Sequence, residues 1–174
     1  MVGLTDAGSY GAIWLLLAVG VAVAMRRPWV VALVASAVVA ANLTATGLKA
    51  AVGRERPEHS LDGIDVLTPT PHDASFPSGH AATSFAAALV LTVAVPRLAT
   101  VFFGLAAAIA YSRLYVGVHY PLDVLGGAVL GALVATALLL LVGIPRRARR
   151  RRKQAPPTGP LHDCSSRRAH QESR

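Results

Sequence analysis

Between Tyr111 and Asp123 the chain reads YSRLYVGVHYPLD. Arg113, His119 and Asp123 fall there in the spacing SRxxxxxHxxxD, which begins at Ser112. An arginine holds a phosphate by charge and by the fork geometry of its guanidinium. A histidine can attack phosphorus, and an aspartate can fix that histidine's tautomer. These groups, so close together, suggest phosphoester chemistry. Read singly, the stretch also fits an interfacial loop with a few polar side chains.

Two other stretches offer related chemistry. Lys49 and Arg56 are separated by six intervening residues in KAAVGRERP, and Pro77-Ser78-Gly79-His80 opens an apolar run. Lys49, Arg56 and Arg113 would supply three cations for the equatorial oxygens of a transferring phosphoryl group. Ser78 is placed to cap a helix. Gly79 lets backbone approach closely, so that first-turn N–H groups can bind phosphate. His80, at the same helix start, is placed to protonate a departing oxygen. Lys49 and Arg56 alone would also fit snorkelling interfacial residues.

The elements that must position these groups are apolar. Of the 174 residues, 53% are hydrophobic and 15% charged, against about 25% charged in an ordinary soluble domain. This composition indicates a membrane protein with an all-α fold. Five spans are read near residues 11–25, 29–48, 81–95, 98–111 and 122–144, giving a membrane-embedded domain over 1–145. The first is a retained span and not a signal peptide, because Asp6 precedes it and Arg26-Arg27 follow it. Pro96-Arg97 divides a long apolar stretch into two short spans. Each of these must borrow length from its flanks or be enclosed by neighbours, because a bilayer crossing takes about 20 residues. Asn42, Thr44 and Thr46 read as contacts between helices and not as ligands. Gly127 and Gly131 form a small-xxx-small pair suited to close packing. Residues 49–80 read as a polar surface loop, with a short helix near Lys49–Arg54. Pro121 suits the first position of the last helix, which puts Asp123 in its first turn.

The net charge of +8 belongs to the C-terminus. Residues 1–145 hold seven Lys/Arg and seven Asp/Glu, whereas residues 146–174 hold ten and two. That tail, opening RRARRRRK, reads as a disordered cytoplasmic segment that meets anionic lipid headgroups. It has no aromatics, so nucleic-acid binding is not expected. Its single cysteine, Cys164, excludes an internal disulfide. Arg26-Arg27, Arg97 and the tail lie at alternate junctions, and the charge rule puts them in the cytoplasm. The N-terminus and all three polar motifs then face outside. Lys49, Arg54, Arg56 and Arg113 oppose the charge rule there, which an anionic ligand would explain. Arg54 and Glu55 read as loop charges. His59, Asp62, Asp65, His72 and Asp73 follow no defensible metal-ligand spacing and read as a solvated loop.

KxxxxxxRP, PSGH and SRxxxxxHxxxD occur in order and without substitution between Lys49 and Asp123. Together they resemble the type 2 phosphatidic acid phosphatase family, whose relatives include bacterial acid phosphatases and vanadium haloperoxidases. The resemblance extends over roughly residues 29–144. Many membrane members have six spans, where five are counted here. High Ala, Val and Arg content suggests GC-rich bacterial coding. The resemblance implies His119 as nucleophile, Asp123 as its orienting partner and His80 as general acid. It implies Lys49, Arg56, Ser78, Gly79 and Arg113 as phosphate contacts, with no metal and no cofactor. The expected substrate is a lipid phosphate or a prenyl phosphate or diphosphate at the outer membrane face. Two other readings are a vanadate-dependent haloperoxidase and a non-catalytic membrane protein that binds anionic lipid.

Overall fold

The computed structural model describes residues 3–57 and 73–143. Among these the chain forms five α-helices and no strand: α1 Gly3–Met25, α2 Trp29–Val52, α3 Gly79–Ala94, α4 Ala99–Tyr115 and α5 Pro121–Val142. A single 3-10 turn, Pro96–Leu98, joins α3 to α4.

Helix α3 is the hub, packed by α1, α2, α4 and α5. Its alanines explain how. Ala81, Ala82, Ala86, Ala87, Ala88 and Ala94 are buried along with Ser84, Val90 and Leu91. Small side chains let four neighbours approach one backbone, and close packing is what drives helix association where lipid is the solvent. At 16 residues and 1.5 Å per residue, α3 is only about 24 Å long, short of the ~30 Å hydrocarbon core. Enclosure by its neighbours resolves the shortfall.

The surrounding helices are apolar on the outside as well. Leu16, Val23, Leu43, Val101, Leu133 and Leu141 are all exposed. Helices apolar all round belong in a bilayer. Trp29–Val52, Pro96–Tyr115 and Pro121–Val142 are each long and apolar enough to cross one. The inner stripe of α2 runs Val30, Val34, Ala37, Ala41, Ala45 at helical spacing. On α1, Trp14 is fully buried, and its indole N–H donates to Ser84 Oγ at 3.2 Å. That bond satisfies two polar groups that would otherwise be stranded in the core.

Helix α5 docks on α3 through two glycines. A Cβ on Gly127 would fall 2.3 Å from the Ser78 carbonyl oxygen, and one on Gly131 would fall 2.0 Å from that of Ala82. No other residue permits this approach. The small-xxx-small pair is therefore the seam that holds the start of α5 against the start of α3.

Helix ends differ from the apolar runs because caps, and not hydropathy, set them. Helix α2 continues past Leu48 through Lys49 to Val52 and stops at Gly53, whose φ of 62° is left-handed. Lys49 is thus on the last turn of a helix and not in a loop. Helix α4 likewise runs beyond residue 111 to Tyr115 and includes Ser112 and Arg113. Helix α1 begins at Gly3, earlier than its apolar run. Thr44 and Thr46 are exposed and donate to the carbonyls of Ala40 and Asn42 on their own helix. They therefore do not join helices. The C-terminal tail with Cys164, and residues His59, Asp62, Asp65 and His72, lie outside the described residues.

Candidate active site

The three motifs meet at one end of the bundle. The C-terminal end of α2 brings Lys49 and, past Gly53, Arg54 and Arg56. The start of α3 brings Ser78, Gly79 and His80. The end of α4 brings Arg113, and the following loop and the start of α5 bring His119 and Asp123.

Ser78 is the N-cap of α3. It is fully buried, with extended backbone, and its Oγ accepts the Ala81 N–H. Its own N–H donates to the Asp123 carbonyl at 2.9 Å. The second motif is therefore bolted to the third through backbone. A Cβ on Gly79 would meet Asn42 Oδ1 at 3.9 Å, an ordinary contact distance.

Asp123 is fully buried and well held. As the third residue of α5 it reaches back over the helix start, where Oδ2 accepts the Tyr120 N–H at 2.8 Å. This is half of a capping box, and the positive end of the helix favours the carboxylate. Oδ1 accepts from Arg54 Nη1 at 3.0 Å. The Arg54 guanidinium also lies over the Tyr120 ring, 4.3 Å from its centroid, a cation–π arrangement. Arg54 is therefore a partner of the central carboxylate and not a loose loop charge.

His119 is buried, and its Nδ1 lies 3.7 Å from Asp123 Oδ2. That is too long for a hydrogen bond, and Nδ1 has no hydrogen-bond partner. Burial lowers the His119 pKa to about 4; the charges of Arg56 and Lys49 add to this, Asp123 opposes it, and His80 contributes in the same direction as burial. The imidazole is thus neutral near pH 7, the state a nucleophile needs.

Arg56 is almost fully buried. Its Nε donates to the Asp73 carbonyl at 2.9 Å, its Nη1 to the Val118 carbonyl at 3.1 Å, and its Nη2 to Asp73 Oδ1. Lys49 Nζ pairs with Asp73 Oδ2. Asp73 therefore bridges two of the expected phosphate-binding cations, where sequence reading had it in a solvated loop. Partial burial alone would raise its pKa, but hydrogen bonds from Lys49 and Arg56 outweigh that and hold it below the ordinary carboxylate value. Arg113, half-buried, donates through Nε to Ser112 Oγ at 3.3 Å. Ser112 Oγ in turn donates to the Ile109 carbonyl at 2.7 Å, a bond within its own helix.

Sequence reasoning missed Arg54 and Asp73. For Arg54 a signal existed, since it is one of the four cations on the face where the charge rule disfavours them. Asp73 had none that set it apart from the other acids of its loop.

Apolar helices around a polar, cation-rich end mark a multi-pass membrane protein. The chain belongs to the PAP2 superfamily, whose profile matches residues 29–147. It is 38% identical over 152 residues to the decaprenylphosphoryl-5-phosphoribose phosphatase of Mycobacterium tuberculosis, covering 86% of this chain and 82% of that one. It is 38% identical over 112 residues to the lipid A 1-phosphatase of Rhizobium etli, covering 62% and 48%. Among solved structures, LpxE of Aquifex aeolicus superposes with a TM-score of 0.65 at 30% identity, covering 79% of this chain and 84% of that one. The PAP2-type phosphatidylglycerolphosphate phosphatase of Bacillus subtilis superposes at 0.56 and 26%, covering 82% and 75%. The protein is a phosphoric ester hydrolase of the membrane.

Proposed function

We propose that the protein hydrolyses a polyprenyl-linked or other lipid phosphate monoester through a phosphohistidine on His119, without a metal. The observation that carries this reading is a buried, neutral His119 beside Asp123 with two cations close by. In the first step His119 Nε2 attacks phosphorus and the ester P–O bond breaks. The departing oxygen takes a proton from protonated His80. Asp123 accepts the Nδ1–H, and the 3.7 Å separation closes as positive charge develops on the ring, since such bonds tighten on passing from the free enzyme to the complex. Water then attacks the phosphohistidine, its proton passes to His80, and inorganic phosphate leaves with His119 neutral again. Lys49, Arg56, Arg113 and the first-turn N–H groups of α3, capped by Ser78 and opened by Gly79, hold the equatorial oxygens. These cations supply the charge stabilisation that a metal supplies elsewhere.

A lipid substrate is supported by an apolar groove of about 550 Å³ beside the site. Leu48, Phe76, Leu125, Val129 and Leu133 line it, and Arg54 stands in its wall. A hydrocarbon chain lying there has its head beside the residue that grips Asp123. Similarity to a decaprenylphosphoryl-5-phosphoribose phosphatase over most of both chains supports a prenyl-linked sugar phosphate within this class. The alternation of Arg26-Arg27 and Arg97 with the polar motifs supports an extracytoplasmic site, with the N-terminus outside and the basic tail in the cytoplasm.

The test is phosphate release by detergent-purified protein in EDTA. A prenylphosphoryl sugar phosphate, a prenyl diphosphate and a phosphatidate are compared. Release from at least one that survives EDTA supports the reading, and the fastest substrate names the lipid. Release that requires a divalent metal contradicts it.

A further inference from the structure

Asp73 holds an unusual place. Its carboxylate spans Lys49 and Arg56, while its backbone carbonyl takes Arg56 Nε at 2.9 Å. Lys49 and Arg56 are largely buried, at 13% and 4% side-chain exposure, whereas Asp73 is 48% exposed. The acid therefore stands on the solvent side of the two cations.

We infer that Asp73 is a specificity-determining residue: its carboxylate removes one positive charge from the Lys49–Arg56 pair and so favours phosphate monoesters over diphosphates. The inference rests on the proposed phosphate-binding role of Lys49 and Arg56. A monoester carries about −1.5 to −2 near pH 7, and a diphosphate adds further charge one P–O–P bridge away. That is well inside the ~8 Å screening length at physiological salt, so the second phosphate feels Asp73. Two cations without the acid would suit the more anionic ligand. Two cations sharing one acid suit the less anionic one. Repulsion of a wrong ligand by a fixed charge is a recognised source of selectivity.

The arrangement also separates charge from scaffold. Asp73→Asn keeps the backbone carbonyl that receives Arg56 Nε and keeps an oxygen on the side chain, so it changes charge with little change of shape. Asp73→Glu keeps the charge. The experiment compares kcat/KM for a prenyl monophosphate and a prenyl diphosphate of equal chain length, on the full chain in detergent. Asp73→Asn is expected to raise the diphosphate-to-monophosphate ratio about tenfold, and Asp73→Glu to restore most of the wild-type ratio. An unchanged ratio in Asp73→Asn overturns the inference, whether both activities persist or both fall in proportion. Calorimetric binding of inorganic phosphate and pyrophosphate reads the same claim without turnover. Asp73→Asn is expected to tighten pyrophosphate relative to phosphate by a similar factor, and equal changes for both ligands overturn the inference. If neither lipid is hydrolysed by the wild type, the proposed reaction fails while the binding ratio still decides the role of Asp73.

Discussion

Arg54 Nη1 lies 3.0 Å from Oδ1 of Asp123, a carboxylate with no solvent exposure. The two residues are 69 apart in sequence. The contact joins the end of α2 to the start of α5, and it leaves Oδ2 to the Tyr120 N–H and to His119. In the proposed mechanism Arg54 thus orients the carboxylate that orients His119. Arg54→Ala strips a buried charge of its cation. Breaking a fully buried pair costs about 3–5 kcal/mol, and the partial exposure of Arg54 reduces the expected stability loss to about 1–2 kcal/mol. A drop in kcat/KM of about 10- to 100-fold is expected as well, the usual cost of losing an outer support of this kind. A double-mutant cycle with Asp123→Asn checks the link. Strictly additive losses would show that Arg54 acts elsewhere.

The His119 pKa of about 4 has a definite sign. His119, the proposed nucleophile, is neutral above that value and protonated below it. Its titration therefore removes activity only as pH falls through about 4, and not near 6.5 where a free histidine titrates. The positive charge of Lys49 helps to depress this pKa. Lys49→Met is expected to move the acid limb of kcat/KM to higher pH and to lower the rate at every pH. The substrate titrates identically with both proteins, so a difference between the two limbs belongs to the enzyme. A limb that stays in place or moves down would contradict this electrostatic account.

Gly131 and Gly104 make an internal contrast. A Cβ at Gly131 would meet the Ala82 carbonyl oxygen at 2.0 Å, while one at Gly104 meets nothing within 4 Å. Gly131→Ala forces α5 away from α3 and is expected to cost about 1–3 kcal/mol. Gly104→Ala is expected to be neutral or to gain up to ~1 kcal/mol in helix propensity. Unfolding in detergent micelles measures both. Equal effects would mean that the α3–α5 seam is not the tight one.

The groove beside Arg54 is tested by filling it. Val129→Trp places an indole on its apolar wall. The expected outcome is a KM raised several-fold for a long-chain prenyl phosphate, with a water-soluble short-chain phosphate ester turned over as before. Equal loss on both substrates would show that the change disturbs the fold and does not report on the chain.

Local features were legible in the sequence, and features made by the fold were not. Ser78 could be read as a cap because capping depends on the few residues that follow it. Asp123 could be placed in a first turn because Pro121 marks one. Gly127 and Gly131 announced a close packing without naming the partner, which is the carbonyl backbone of α3. Arg54 and Asp73 escaped because their roles depend on contacts 69 and 24 residues away. The left-handed Gly53 turn comes between the end of α2 and Arg54, and nothing in the surrounding composition identifies Asp123 as the partner. The extents of α2 and α4 were underestimated because hydropathy marks where lipid contact ends, whereas a helix ends at its cap.

The central claim is that His119 carries the phosphoryl group, and trapping that group tests it most directly. Full-length protein is mixed with substrate labelled at phosphorus, quenched with alkali within the first turnover, and the labelled peptide is sequenced. The expected result is an acid-labile, alkali-stable phosphoprotein with its label on His119, absent from His119→Ala and accumulating in Asp123→Asn only at a reduced rate. Label on another residue, or full-rate hydrolysis by His119→Ala, would contradict the mechanism.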